Sequence, residues 1–231
     1  MNVYRAQDRG HVEHGWLKAK HSFSFGEYYN PQAMNFGPLR VLNEDVIEAG
    51  QGFGTHPHKD AEILTYVLSG GLRHEDSMGN GGVIEHGDVQ YMSAGKGIRH
   101  SEFNASRTEP VHLYQIWILP HTKGLKPRYE QESFSPQGRA NQWQLIASPK
   151  GDQGSFQIAQ DAKFLVSELD QGRELTYKFE NKRKVWLQLA RGAISVNHQD
   201  LSAGDAISFE EAQDFSIEAI EDAELLLFDM V

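Results

Sequence analysis

The chain of 231 residues contains no cysteine. Disulfides, thiolate metal sites and cysteine nucleophiles are excluded together, so any metal would fall to imidazole and carboxylate. Long apolar runs are also missing. Nothing approaches the ~20 residues that a membrane-spanning helix needs, and the opening "MNVYRAQDRGHVEHG" carries charge throughout where a secretory signal has an apolar stretch. The expectation is a cytoplasmic protein with no membrane partner. Basic residues are in deficit: 22 Lys and Arg against 32 Asp and Glu give a formal charge of -10. The resulting negative potential repels phosphate backbones and anionic lipid. The longest basic run, "NKRK" at Asn181–Lys184, reads as a solvated turn, and no direct nucleic-acid partner is expected. Amphipathic helical periodicity is scarce as well.

What is present is strand alternation and glycine. "EILTYVLSGG", "HLYQIWIL", "RKVWLQLARG", "AISVN" and "ELLLFDMV" are apolar, β-branched or aromatic runs. Glycine, at 22 residues, is frequent enough to supply tight turns between them. The class is all-β. An internal echo divides the chain. "TYVLSGGLRHED" leads to "IEHGDVQYMSAG", and "VWLQLARGAISVN" leads to "LSAGDAISFEE". Both read as strand, glycine turn, strand, "GD" turn and strand, with a longer hairpin in the first copy. The polar, proline-bearing segment Pro120–Gln142 separates the copies. Two domains are expected, 1–133 and 134–231.

Chemistry concentrates in two short pairs. "GTHPHKDAEI" places His56 and His58 one residue apart, and "GKGIRHSEFN" repeats that spacing with His100 and Glu102. Residues at i and i+2 of an extended chain share a face. If the two segments lie on neighbouring strands, three imidazoles and one carboxylate converge. That donor set suits Fe, Mn, Co, Ni, Cu or Zn rather than the oxygen cages of Ca or Mg. Four ligands fill a tetrahedral zinc site but leave two positions open on an octahedral ion. Pro57, which cannot donate to a ladder, points to a strand start or a bulge. Lys59 and Arg99, each one residue out of phase, are expected to point away from the site. Glu62, four beyond His58, is a fifth ligand or a wall residue. His11, His14, His21, His74, His86, His112, His121 and His198 lack a partner at strand spacing and read as surface or structural residues. "HSFSFGEYYNP" reads as core packing, with a wall or lid for a flat ligand as the alternative. The second half carries neither HxH nor His-x-Glu, so any equivalent site there lacks ligands.

These residues carry a resemblance. "GQGFGTHPHKDAEILTYVLSGG" and "GDVQYMSAGKGIRHSEFN" resemble the two cupin signatures, with Ser93 where proline is usual and a longer spacing before the histidine. "THPHKDAEILTYVLSG", "SAGKGIRHSEFN" and "LYQIWI", with "FSFGEYYNP" upstream, are similar to the pirin family over nearly the whole chain. The resemblance implies a bicupin of two stacked antiparallel, jelly-roll-like β-barrels with a metal in the first only. His56, His58, His100 and Glu102 would bind it, usually iron as Fe(II). Glu62 matches the cupin motif at a position that the pirin pattern does not use as a ligand.

The resemblance implies two activities. Bacterial members can act as quercetin 2,3-dioxygenases; a flavonol and dioxygen would then be the small-molecule partners. Glu102, the only anion in the ligand set, would be the catalytic proton acceptor, with Asn104 supporting it. Eukaryotic members are iron-dependent regulators, which makes a non-enzymatic redox sensor with a protein partner the alternative. Sugar-phosphate isomerisation would need cations in the cavity and ranks last. A monomer is expected.

Overall fold

The computed structural model describes residues 1–231. Its regular secondary structure is almost entirely strand, and it divides into two units, Gly10–Phe134 and Met1–Arg9 with Ser135–Val231. The strands of the first part of the chain are β1 (Asn2–Tyr4), β2 (Gly10–Glu13), β3 (Leu17–His21), β4 (Leu39–Ile47), β5 (Gly52–His58) and β6 (Glu62–Ser69). They continue with β7 (Gly71–Asp76), β8 (Gly81–Glu85), β9 (Asp88–Ser93), β10 (Ile98–Asn104), β11 (Val111–Ile118) and β12 (Arg128–Ser133). After these come β13 (Gln144–Ser148), β14 (Phe156–Gln157), β15 (Ala162–Leu169), β16 (Glu174–Tyr177) and β17 (Lys184–Arg191). The last are β18 (Ala193–Val196), β19 (Gln199–Ser202), β20 (Ala206–Phe209), β21 (Phe215–Ala219) and β22 (Ala223–Met230). No helix is long and apolar enough to cross a membrane.

In the unit Gly10–Phe134 a seven-stranded sheet, β12-β9-β6-β11-β4-β3-β2, faces a four-stranded one, β5-β10-β7-β8. Leu17, Ile47, Val67 and Leu113 from the larger sheet pack with Leu72 and Ile84 from the smaller, so part of the core lies between them. The central strand β6 is buried at seven successive positions, which is why its sequence is mostly apolar and does not alternate. The other unit repeats the plan, with β1-β20-β17-β22-β15-β13-β14 opposed to β16-β21-β18-β19. Each unit is thus two separate hydrogen-bonded sheets, a flattened jelly-roll sandwich rather than one closed barrel ladder.

The echo in the sequence is an echo in structure. Gly70 and Gly192 make the β6–β7 and β17–β18 turns, both at φ 81°. At Gly70 an added Cβ would lie 2.9 Å from the Pro110 carbonyl oxygen, and at Gly192 2.1 Å from that of Asp222. Left-handed backbone and crowding together demand glycine at both. The ladders even shift register at matching places, between His112 and Leu113 opposite β6 and between Leu189 and Arg191 opposite β22.

The boundary at 133 needs one correction. Met1–Arg9 belong with the second unit, not the first. The cause is β1, which pairs antiparallel with β20 through Asn2–Ser208, Val3–Ile207 and Tyr4–Ala206. Tyr4 packs its ring 4.5 Å from that of Trp186, and Arg5 Nη1 reaches Asp205 Oδ2 at 2.8 Å. Three residues of strand are too short a signal to assign to a sheet from sequence.

Candidate metal centre

The two pairs meet because β5 and β10 are hydrogen-bonded neighbours. His100 lies opposite His56 in the register, and Ile98 opposite His58. β5 is the edge of its sheet, which accommodates Pro57 within the strand rather than at its start. A bulge falls between His100 and Glu102, so that Glu102 pairs with Phe53; such bulges re-aim side chains. Gly52 lets the strands close, since a Cβ there would lie 2.1 Å from the Glu102 carbonyl oxygen.

The ligating atoms of His56, His58 and His100 lie within 4.8 Å of one another. Those of His74, His100 and Glu102 form a second set within the same limit. His100 is common to both, so Glu102 joins the imidazoles through His100 and His74 rather than by standing in one group with His56 and His58. His74, which the sequence reads as a surface or structural residue, is a buried one beside the cluster. It is fully buried on β7, opposite Glu102 in the ladder, and stacked on Tyr129 at 4.9 Å between ring centres. The signal was there in "GLRHED", where Leu72 and His74 occupy the inward phase.

Hydrogen bonds set the tautomers. His56 Nδ1 donates to the Gly54 carbonyl oxygen at 2.8 Å, which leaves its Nε2 as a lone pair. Gln90 Nε2 donates to His74 Nδ1 at 3.2 Å, and His100 Nδ1 approaches the same acceptor at 3.3 Å. His100 Nε2 is then a lone pair too, and it lies 3.0 Å from His56 Nε2. A proton is a poor bridge between them. Burial, then the neighbouring His56 and His74, lower His100 to about 3; burial, then His100 and His56, lower His58 to about 3. Neutral imidazoles with converging lone pairs fit a divalent transition metal.

Glu102 is buried, 4% exposed, and accepts a hydrogen bond from Gln115 Nε2 at 2.8 Å. Burial pushes its carboxyl upward, against the pull of that bond and of His74; a bound cation would reverse the balance in favour of the carboxylate. Asn104 does not support it. Its amide donates to the Ile47 and Glu109 carbonyls and its Oδ1 accepts from Ser106 N, bracing the following turn. Glu62 is neither ligand nor wall: its carboxylate takes the hydroxyls of Tyr91 at 2.5 Å and Ser93 at 2.6 Å. Lys59 and Arg99 are exposed, in agreement with the alternation argument.

Beside the imidazoles opens a cavity of about 180 Å³. Phe25, Phe53, Ile63 and Trp117 give it apolar walls; Asn43, Asp45 and Gln115 give it polar ones. The aromatic run therefore divides, with Phe23 in the core and Phe25 at the cavity. Aligning the second unit by its turn glycine and ladders shows the same positions inverted in polarity. His74, His100 and Glu102 correspond to Val196, Phe215 and Ile217. Thr65, Gln90 and Gln115 correspond to Leu187, Ile207 and Leu227. His56 corresponds to Tyr177. These replacements fill that unit's core, and Phe215 stacks on Phe209 at 4.4 Å.

Two facing-sheet units, one with a histidine cluster beside a cavity and one with an apolar core at the matching positions, define a cupin-type protein with its histidine-lined candidate metal centre in the first. Comparison with known proteins agrees. The pirin family profile matches residues 3–118, and the profile described as quercetinase C-terminal cupin domain matches 145–230. A protein named quercetin 2,3-dioxygenase from Escherichia coli (strain K12) is 49% identical over 98% of this chain and 96% of its own. The crystal structure of bacterial pirin YhhW from Escherichia coli in complex with nickel(II) superposes with TM-score 0.94 at 47% identity, over 99% of this chain and 98% of that one. The chain belongs to the pirin family.

Proposed function

We propose that the protein is a metal-dependent dioxygenase that opens the central ring of flavonols such as quercetin. The observation that carries this reading is a cavity lined by three imidazoles together with Phe25, Phe53 and Trp117. The name of the Escherichia coli relative supports it. Its volume is below the ~300–1,000 Å³ of sites that enclose drug-sized ligands, so one end of a flavonol enters and the rest lies at the mouth. His56, His58, His100 and Glu102 would hold the metal, with Fe(II) as the native ion and Mn, Co, Ni, Cu or Zn able to use the same donors. When bound, the metal would supply Lewis acidity toward the flavonol hydroxyl and a means of activating dioxygen.

The chain's own residues do the rest. Glu102 accepts the proton of the flavonol 3-hydroxyl, and Gln115 holds the carboxylate in place through that transfer. Phe25, Phe53 and Trp117 fix the plane of the flat ligand and exclude water from the reacting ring. His74 and Gln90 keep His100 in the tautomer that presents Nε2.

The test uses purified, metal-loaded protein with quercetin, following loss of the flavonol absorbance together with oxygen uptake. Coupled loss of both in the wild type, and neither in Glu102→Ala, is the expected result. Wild-type rates no higher than those of Glu102→Ala would remove the reading.

A further inference from the structure

We infer that Asn43 and Asp45 form a hydrogen-bond-accepting subsite that orients a polyhydroxylated aromatic ligand through a hydroxyl other than the one offered to the histidine cluster. The inference rests on the flavonol reading and names what in the substrate is recognised. The two residues are i and i+2 on β4, so both project to the same face, and both line the cavity. Asn43 is 3% exposed and its Oδ1 has no hydrogen-bond partner. A buried acceptor left unmatched is costly, and a ligand donor would satisfy it. Asp45, 4% exposed, adds a carboxylate on the same wall. Gln115 is the third polar group there, but its amide is already engaged, donating to Glu102 and accepting from Thr65 Oγ1 at 3.4 Å.

The fold itself does not require this polarity. At the same ladder positions the second unit carries Leu165 and Ser167, in an equally buried setting. Two acceptor oxygens on one wall favour hydroxyl groups, and a site built to bond a hydroxyl discriminates strongly against a ligand that lacks it.

The experiment compares two flavonols that both keep the 3-hydroxyl, quercetin and unsubstituted 3-hydroxyflavone, by calorimetric titration into metal-loaded protein without oxygen. Wild type is expected to bind quercetin at least about tenfold more tightly. In Asn43→Leu/Asp45→Ser, which installs the second unit's own residues, the ratio should fall to within about twofold while 3-hydroxyflavone binds as before. Asp45→Asn, of equal volume, provides a second reading if the double variant does not fold, and should reduce the ratio in the same direction. An undiminished ratio in the variants overturns the subsite while leaving the flavonol reading standing. Failure of both ligands to bind wild type removes the flavonol reading and the subsite with it.

Discussion

His74 Nδ1 lies 3.3 Å from His100 Nδ1 in a fully buried setting, so one imidazole positions another. Replacing His74 by Leu should lower metal affinity by about 10–100-fold. Folding should be spared, because the second unit tolerates Val196 at the matching place. Competition with a coloured chelator, beside a thermal melt, checks both halves. Unaltered affinity would mean that His74 does not position His100.

Removing the imidazoles themselves should abolish occupancy. His56→Ala and His100→Ala are expected to purify with little bound metal by elemental analysis. In wild type, metal added at about 100 times its dissociation constant should raise stability by about 2.7 kcal/mol, a gain that the two variants lack. A metal-dependent rise in melting temperature in His100→Ala would place the binding site elsewhere.

The pH dependence of the metal-free protein follows from His58 and His100. Both are depressed from 6.5 to about 3, so between those values the unfolded chain binds more protons than the folded one. Stability then rises with pH across that window and is lost as pH falls from about 6.5 toward about 3. Urea titrations at several pH values measure this. Changing His58 to Gln should flatten part of the slope; an identical slope in the variant would assign the effect to other groups.

Position-by-position inversion between the units predicts different kinds of loss in the two. Phe215→Ala removes a core ring stacked on Phe209 and should cost about 3–5 kcal/mol. Gln115→Leu copies Leu227 but leaves the buried Glu102 carboxylate without its donor, so it should cost about 1–3 kcal/mol and turnover should fall as well. Denaturation midpoints and oxygen uptake, read on the same two variants, distinguish the cases.

Much of this was legible in the sequence. The strands, the all-β class and the repeated hairpin follow from alternation and from Gly70 and Gly192, where backbone geometry leaves no other residue. His56, His58 and His100 were legible because i, i+2 spacing survives in any strand. The rest depended on neighbours that spacing cannot show. His74 has no partner on its own strand, and its partners sit across the ladder on β10. Gln115 and the Asn43–Asp45 pair look like ordinary half-polar strand residues until β4 and β11 are set side by side. Asn104 seemed suited to support Glu102 because it shares its phase, but the strand ends there and its amide is consumed by the turn.

The first strand has one further consequence, for synthesis. β1 is made before every strand of the Gly10–Phe134 unit, and its partner β20 after all of them. That unit can therefore fold as it emerges, while β1 waits unpaired until β20 has been made. Pairing the two closes a loop of chain that contains the whole first unit.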